Sequence, residues 1–107
     1  MKLRVIYKGK YTAGRLWRDE YGYHFEYEDK FISNENTFPI SVNMPKKQKR
    51  FNSDSLFANF QSILSEGFNR ELQCKALGID TNDDWNLLIY TCGKDTIGAI
   101  TIERIEE

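Results

Sequence analysis

Residues 53–72, SDSLFANFQSILSEGFNREL, are where the periodicity of the chain changes. Leu56, Phe57, Phe60, Ile63 and Leu64 fall at i, i+1, i+4, i+7 and i+8, a single stripe along a helix, and Ser53 has the chemistry of an N-cap. Gly67 is expected to end this helix. A second should run from about Phe68 or Asn69 to Leu77, closed by Gly78, whose missing Cβ suits the left-handed position past a helix end. A third opens with Thr81 and Asp84 in capping-box spacing and continues through Trp85, Leu88, Ile89 and Cys92 to Gly93. Helices this short depend on packing for their stability.

The flanking residues supply the surface to pack on. Upstream, LRVIYKGKYTAGRLW reads as two strands joined around Gly9. After a turn at Gly22, Tyr23, Phe25 and Tyr27 share one face of a third strand and His24, Glu26 and Glu28 the other. Ile40, Val42 and Met44 repeat the period of two until Pro45 removes a ladder donor. Downstream, Ile100 and Ile102 occupy one face of a last strand and Ile97, Ala99 and Ile105 the other, which suggests a position inside the sheet. The expected architecture is a single α+β domain over residues 1–107. It has a small antiparallel, partly barrel-like sheet of about five strands, with three short helices inserted before the last strand.

A chain of 107 residues with 40% hydrophobic side chains can bury a core without disulfide or metal staples. Fifteen basic residues against 16 acidic ones give no long-range attraction to phosphate backbones or anionic lipid, which argues against nucleic acid and membrane as partners. The charge is polarised, with 11 Lys/Arg against 6 Asp/Glu in residues 1–50 and 4 against 10 thereafter. That asymmetry can steer a complementary partner or draw the two halves together. MKLRVIYKGK has charge where a secretory signal needs an apolar run, so the expected location is cytoplasmic. Cys74 and Cys92 fit helix faces and read as buried thiols.

Candidates for chemistry are few. His24 with Glu26 and Glu28 lacks the three or four ligands of a zinc site and reads as a solvated histidine. Asp83 and Asp84 sit where a helix dipole favours acids. No phosphate loop, nucleophile elbow or Cys-x-x-Cys occurs, so no catalytic residue, cofactor or metal is expected. Lys46, Lys47, Lys49 and Arg50 form one basic run, without interleaved aromatics. The stripe Tyr23, Phe25 and Tyr27 could stack bases but is more economically the core face.

Five segments, in order, add a resemblance. NFQSILSEGFNREL, LGID and GKDTIGAITI, with VIYKGKYTAGRL and FPISVNMP before them, resemble the N-terminal subdomain of HipA-type serine/threonine kinase toxins. Ser65 stands where that family has the Pro of its Pro-Glu-Gly, and Ile100 where Leu is common. The chain ends at Glu107, where the family's kinase core would follow, so the resemblance implies a non-enzymatic protein. It is similar to the free-standing, HipS-like small subunit of tripartite HipBST-type toxin–antitoxin modules. This implies as partner a HipA-like kinase lacking its own N-terminal subdomain, with a helix-turn-helix DNA-binding protein in the same complex. The implied role is to neutralise the kinase; the alternative is a subunit that completes the kinase without inhibiting it.

Phe68 is the unusual residue in this scheme, a large ring beside a turn. One reading makes it an interface anchor that, with Ser65, Glu66, Gly67 and Asn69, inserts near the nucleotide cleft of the kinase. The other places it in the core between two helices, because Phe68, Leu72 and Ala76 fit an i, i+4, i+8 face.

Overall fold

Two tight turns start the sheet. Strand β1 (Lys2–Tyr7) and strand β2 (Tyr11–Asp19) are joined by a turn in which Lys8 and Gly9 both have positive φ, at 52° and 64°. This hand matches the twist of the flanking strands. Strand β3 (Gly22–Tyr27) follows a second turn that closes on Gly22 at φ 122°. The computed structural model describes residues 2–62, 64, 67–91 and 100–105, with the backbone alone at Gly67, Phe68 and Thr91. Helix α1 (Asp29–Ser33) and strand β4 (Arg50–Ser53) come next. Helices α2 (Ala58–Gln61), α3 (Gly67–Leu77) and α4 (Asp84–Thr91) then precede strand β5 (Ile100–Ile105). The sheet is antiparallel throughout, in the order β4-β3-β2-β1-β5.

One face of this sheet carries the core. Leu3 and Val5 of β1, Leu16 of β2, Phe25 of β3 and Ile102 of β5 are each at most 2% exposed. Aromatic rings join the sheet to the helices: Tyr23 meets Trp85 at 5.8 Å, Phe25 meets Phe60 at 5.8 Å, and Tyr27 stacks on Phe31 at 5.5 Å. The expected aromatic stripe therefore lies under the helices. Across from Val5, Ala13 is an extra residue in the ladder, fully buried, and its carbonyl accepts the Glu28 N–H at 2.8 Å. At Gly14 the strands approach so closely that a Cβ would stand 2.2 Å from the Glu26 carbonyl oxygen.

Several expectations need correction. Ile40, Val42 and Met44 form no strand: the Met44 N–H turns back to the Ser41 carbonyl at 3.0 Å, and the Tyr27 hydroxyl accepts the Ile40 N–H and donates to the Met44 carbonyl. Met44 is buried there, while Val42 is 95% exposed. Ser53 is no N-cap but the end of β4, paired with Tyr23. The helix expected over the opening stretch shrinks to four residues, where the Ser62 hydroxyl turns back onto the Asn59 carbonyl at 2.8 Å. Gly67 opens α3 rather than ending its predecessor. Helix α1, too short to show a period, is added by burial of Phe31 on Tyr27. Among the described residues strand β5 lies at the sheet edge, with β1 as its one neighbour there and β2 on the far side of β1; Ile97 and Ala99 lie outside the described residues.

The ends of the longer helices follow their local chemistry. Gly78, at φ 70°, closes α3, and the Ile79 N–H returns to the Cys74 carbonyl at 2.9 Å. Helix α4 is capped by Asp83, not by a box on Thr81: Asp83 Oδ1 accepts the Asn86 N–H at 3.1 Å. The Asn86 side chain also donates to Asp83, and these hydrogen bonds hold the Asp83 carboxyl below its ordinary value. Cys74 is a buried free thiol, as expected, and Cys92 lies outside the described residues. Among the described residues no helix is long and apolar enough to cross a membrane.

Candidate functional site

The expected partner-binding turn maps onto the start of α3. Ser65 and Glu66 lie outside the described residues; Gly67, Phe68 and Asn69 form the first turn, with Asn69 exposed. The Arg70 guanidinium bonds the Asp84 carboxylate and donates through Nε to the Thr81 carbonyl at 2.8 Å. One side chain thus ties the first turn of α3 to the start of α4. Helix α3 buries Cys74, whereas Leu72 is 50% and Leu77 45% exposed and Ala76 is exposed as well. The stripe that position 68 shares with Leu72 and Ala76 by helix spacing is therefore open to solvent at both of those residues.

His24 departs from the solvated residue expected, its side chain being only 13% exposed. The Trp17 ring lies 5.4 Å from the imidazole, tilted by 30°. Nδ1 is 2.6 Å from Asn52 Oδ1 and Nε2 is 2.8 Å from Asp19 Oδ1. Acceptors at both nitrogens favour the doubly protonated ring, and the hydrogen bonds to Asn52 and then Asp19 raise the His24 pKa above its ordinary value. The same bond to His24 holds the Asp19 carboxyl below the usual range. No group of three or more His, Cys, Asp or Glu placed for a metal occurs among the described residues.

The basic run is mostly answered within the fold. Lys46 Nζ donates to the carbonyls of Asn34 and Thr37, each at 2.9 Å, and to Thr37 Oγ1 at 3.0 Å, above the Phe31 ring. Lys49 pairs with Asp29 at 3.0 Å, a hydrogen bond that raises the lysine's pKa, and Arg50 forks onto Glu26. This arrangement removes most of the charge that a phosphate backbone would need.

The face of the sheet opposite the core has its own order. Cross-strand registers align Glu103, Arg4, Arg15, Glu26 and Arg50 in one row and Ile105, Lys2, Trp17, His24 and Asn52 in the next. Two clefts open near these rows. In one, of about 260 Å³, four cations are answered by Glu26, Glu28 and Asp29. In the other, of about 530 Å³, Arg4, Lys10, Arg15 and Lys30 face Glu28 alone among acidic side chains. Sequence reading missed this second cleft, whose cations come from β1, the first turn, β2 and α1.

Comparison with known proteins agrees with the fold. A sequence profile of the HipA N-terminal domain matches residues 3–103. An uncharacterized protein of Haemophilus influenzae is 31% identical over 101 residues, covering 94% of this chain and 90% of that protein. "Putative kinase Y4mE" of Sinorhizobium fredii is 30% identical over 101 residues, 94% of this chain but 24% of its own length. Among solved structures, the N-terminal domain of HipA toxin superposes with a TM-score of 0.68 at 26% identity, over 98% of this chain and 94% of that one. With a matching profile, matching relatives and a matching fold, the chain belongs to the HipA N-terminal domain family.

Proposed function

We propose that this protein is a non-enzymatic, cytoplasmic binding module that docks on a HipA-like serine/threonine kinase lacking its own N-terminal subdomain and neutralises it, as an antitoxin. The observation that carries this reading is the way the domain recurs. It makes up 24% of a kinase-named relative and is matched over 90% of a small Haemophilus protein, so the same unit occurs within a longer chain and nearly by itself. A unit that can be part of a kinase chain has a surface fitted to one. The exposed apolar side of α3, at Leu72 and Leu77, supports a docking surface there. On this reading Phe68 is the anchor, with Ser65, Glu66, Gly67 and Asn69 around it. A helix-turn-helix protein that binds DNA completes the complex; this chain itself touches neither nucleic acid nor membrane.

The kinase-named relative, which holds the domain within its own chain, favours a second reading in which the module completes the kinase. One experiment separates the two. A HipA-like kinase is purified with and without this protein at equal molar ratio, and autophosphorylation and co-elution are followed together. Co-elution with falling phosphate incorporation supports the antitoxin, co-elution with steady or rising incorporation supports the completing subunit, and separate elution rejects both.

A further inference from the structure

The cation-rich cleft on the face opposite the core, bordered by α1, is assigned no role by the reading above. We propose that it binds a phosphorylated serine or threonine side chain of a partner protein. The starting point is an electrostatic oddity. Arg4 and Arg15 are directly opposed across β1 and β2, and like charges in that position repel. Arg4 is answered by Glu103 at 2.6 Å, whereas Arg15 stands 3.7 Å from Glu28 without a hydrogen bond among the described residues. Lys10 and Lys30, both exposed, complete the cleft and have no acidic partner among the described residues.

A phosphate monoester relieves this arrangement. It carries nearly two negative charges at neutral pH and three acceptor oxygens, and an arginine fork matches two of those oxygens at once. Thr12 and Asn34, also lining the cleft, offer neutral donors beside the four cations. Beyond the cleft, Glu26 and Asp29 answer Arg50 and Lys49 of the same face. A nucleic-acid strand needs a continuous basic track, which that interruption denies it. The Tyr11 ring, a natural place for a base to stack, already lies beneath the Lys10 ammonium at 5.2 Å. The choice of a protein-borne phosphate rests on the kinase association proposed above, since a module that docks on a kinase works where phosphorylated side chains are made.

The test is a proton–nitrogen NMR titration of the full chain with the acetylated and amidated peptide Gly-Ala-phosphoserine-Ala-Gly and its unphosphorylated twin. Expected are saturable shifts at the amides of Lys10, Thr12, Lys30 and Asn34 with the phosphopeptide only. Lys30→Glu should weaken binding by about tenfold, with the melting temperature unchanged. Equal shifts from the unphosphorylated peptide, or shifts centred elsewhere, overturn the proposal. So does tighter binding at the cleft by ATP or by a ten-residue oligothymidylate, and so does inorganic phosphate binding as tightly as the phosphopeptide. The outcome stands apart from the kinase reading: co-elution with the kinase but no phosphopeptide shifts rejects the cleft alone, and shifts without co-elution reject the docking reading alone.

Discussion

Nε2 of His24 lies 2.8 Å from Oδ1 of Asp19, and the two groups shift each other's titration in opposite directions. His24, raised when folded, contributes stability that is fully present below its unfolded value near ~6.5 and is lost as pH rises through the folded value. Asp19, lowered when folded, contributes stability present above its unfolded value near ~3.9 and lost as pH falls through the folded value. Because the chain contains one histidine, a decline in urea-melting midpoint above about pH 6.5 is assignable to it. His24→Gln is expected to flatten that decline, and an unchanged slope in the mutant would remove the pair from the account.

Gly14→Ala tests the close approach of β2 to β3. The added methyl would meet backbone at Glu26 and the Phe25 ring at 2.8 Å, and a backbone carbonyl cannot swing aside. The expected loss is about 1–3 kcal/mol by denaturant unfolding. Gly9→Ala, where nothing stands within 4 Å, reports only the strain of a positive φ and should cost less, about 1 kcal/mol.

Lys46→Met keeps an apolar side chain of similar length and removes the ammonium that lies over Phe31 and holds the Asn34 and Thr37 carbonyls. The loop should loosen at a cost of about 1–3 kcal/mol, seen as faster amide exchange at Thr37 and Ile40. Unchanged exchange would mean that the loop is held without the lysine, by the Tyr27 hydroxyl and by the Phe38 N–H donated to the Tyr7 hydroxyl at 3.4 Å.

Phe68→Ala distinguishes the two places for that ring. As an interface anchor it should weaken kinase binding by roughly ten- to a hundredfold, the worth of burying ~1.5–3 kcal/mol of aromatic surface, with cooperative melting intact. Loss of cooperative melting would put the ring in the core.

What could be read in advance was chemistry contained in a few neighbouring residues. The turns at Gly9 and Gly22, the alternation of Tyr23, Phe25 and Tyr27, and the stop at Gly78 each depend on adjacent positions, and the structure has all of them. Residues 40–44 and Ser53 misled because their local signals are genuine but outweighed. A hydroxyl on another strand holds the first, and pairing with Tyr23 claims the second. The cleft was invisible for a different reason: residues 4, 10, 15 and 30 become neighbours only once β1, β2 and α1 are in place. At the start of α3, Gly67 looked like a helix end because glycine serves either end of a helix, and only the direction of the chain around it tells which.

Residues 40 to 44 keep the alternation of a strand while a turn at Ser41–Met44 and the Tyr27 phenol oxygen hold them off the sheet. They are a strand in waiting, with Val42 already projecting into solvent and the edge strand β4 a few residues further on. Freed of that oxygen, the segment would offer unpaired backbone groups beside apolar side chains, the condition under which molecules exchange segments or stack edge to edge. Tyr27→Phe, which keeps the ring, should therefore raise light scattering in concentrated solution before it lowers the melting temperature. Such a rise would make the Tyr27 hydroxyl a guard on solubility, separating a chain that stays apart from its copies from one that joins them.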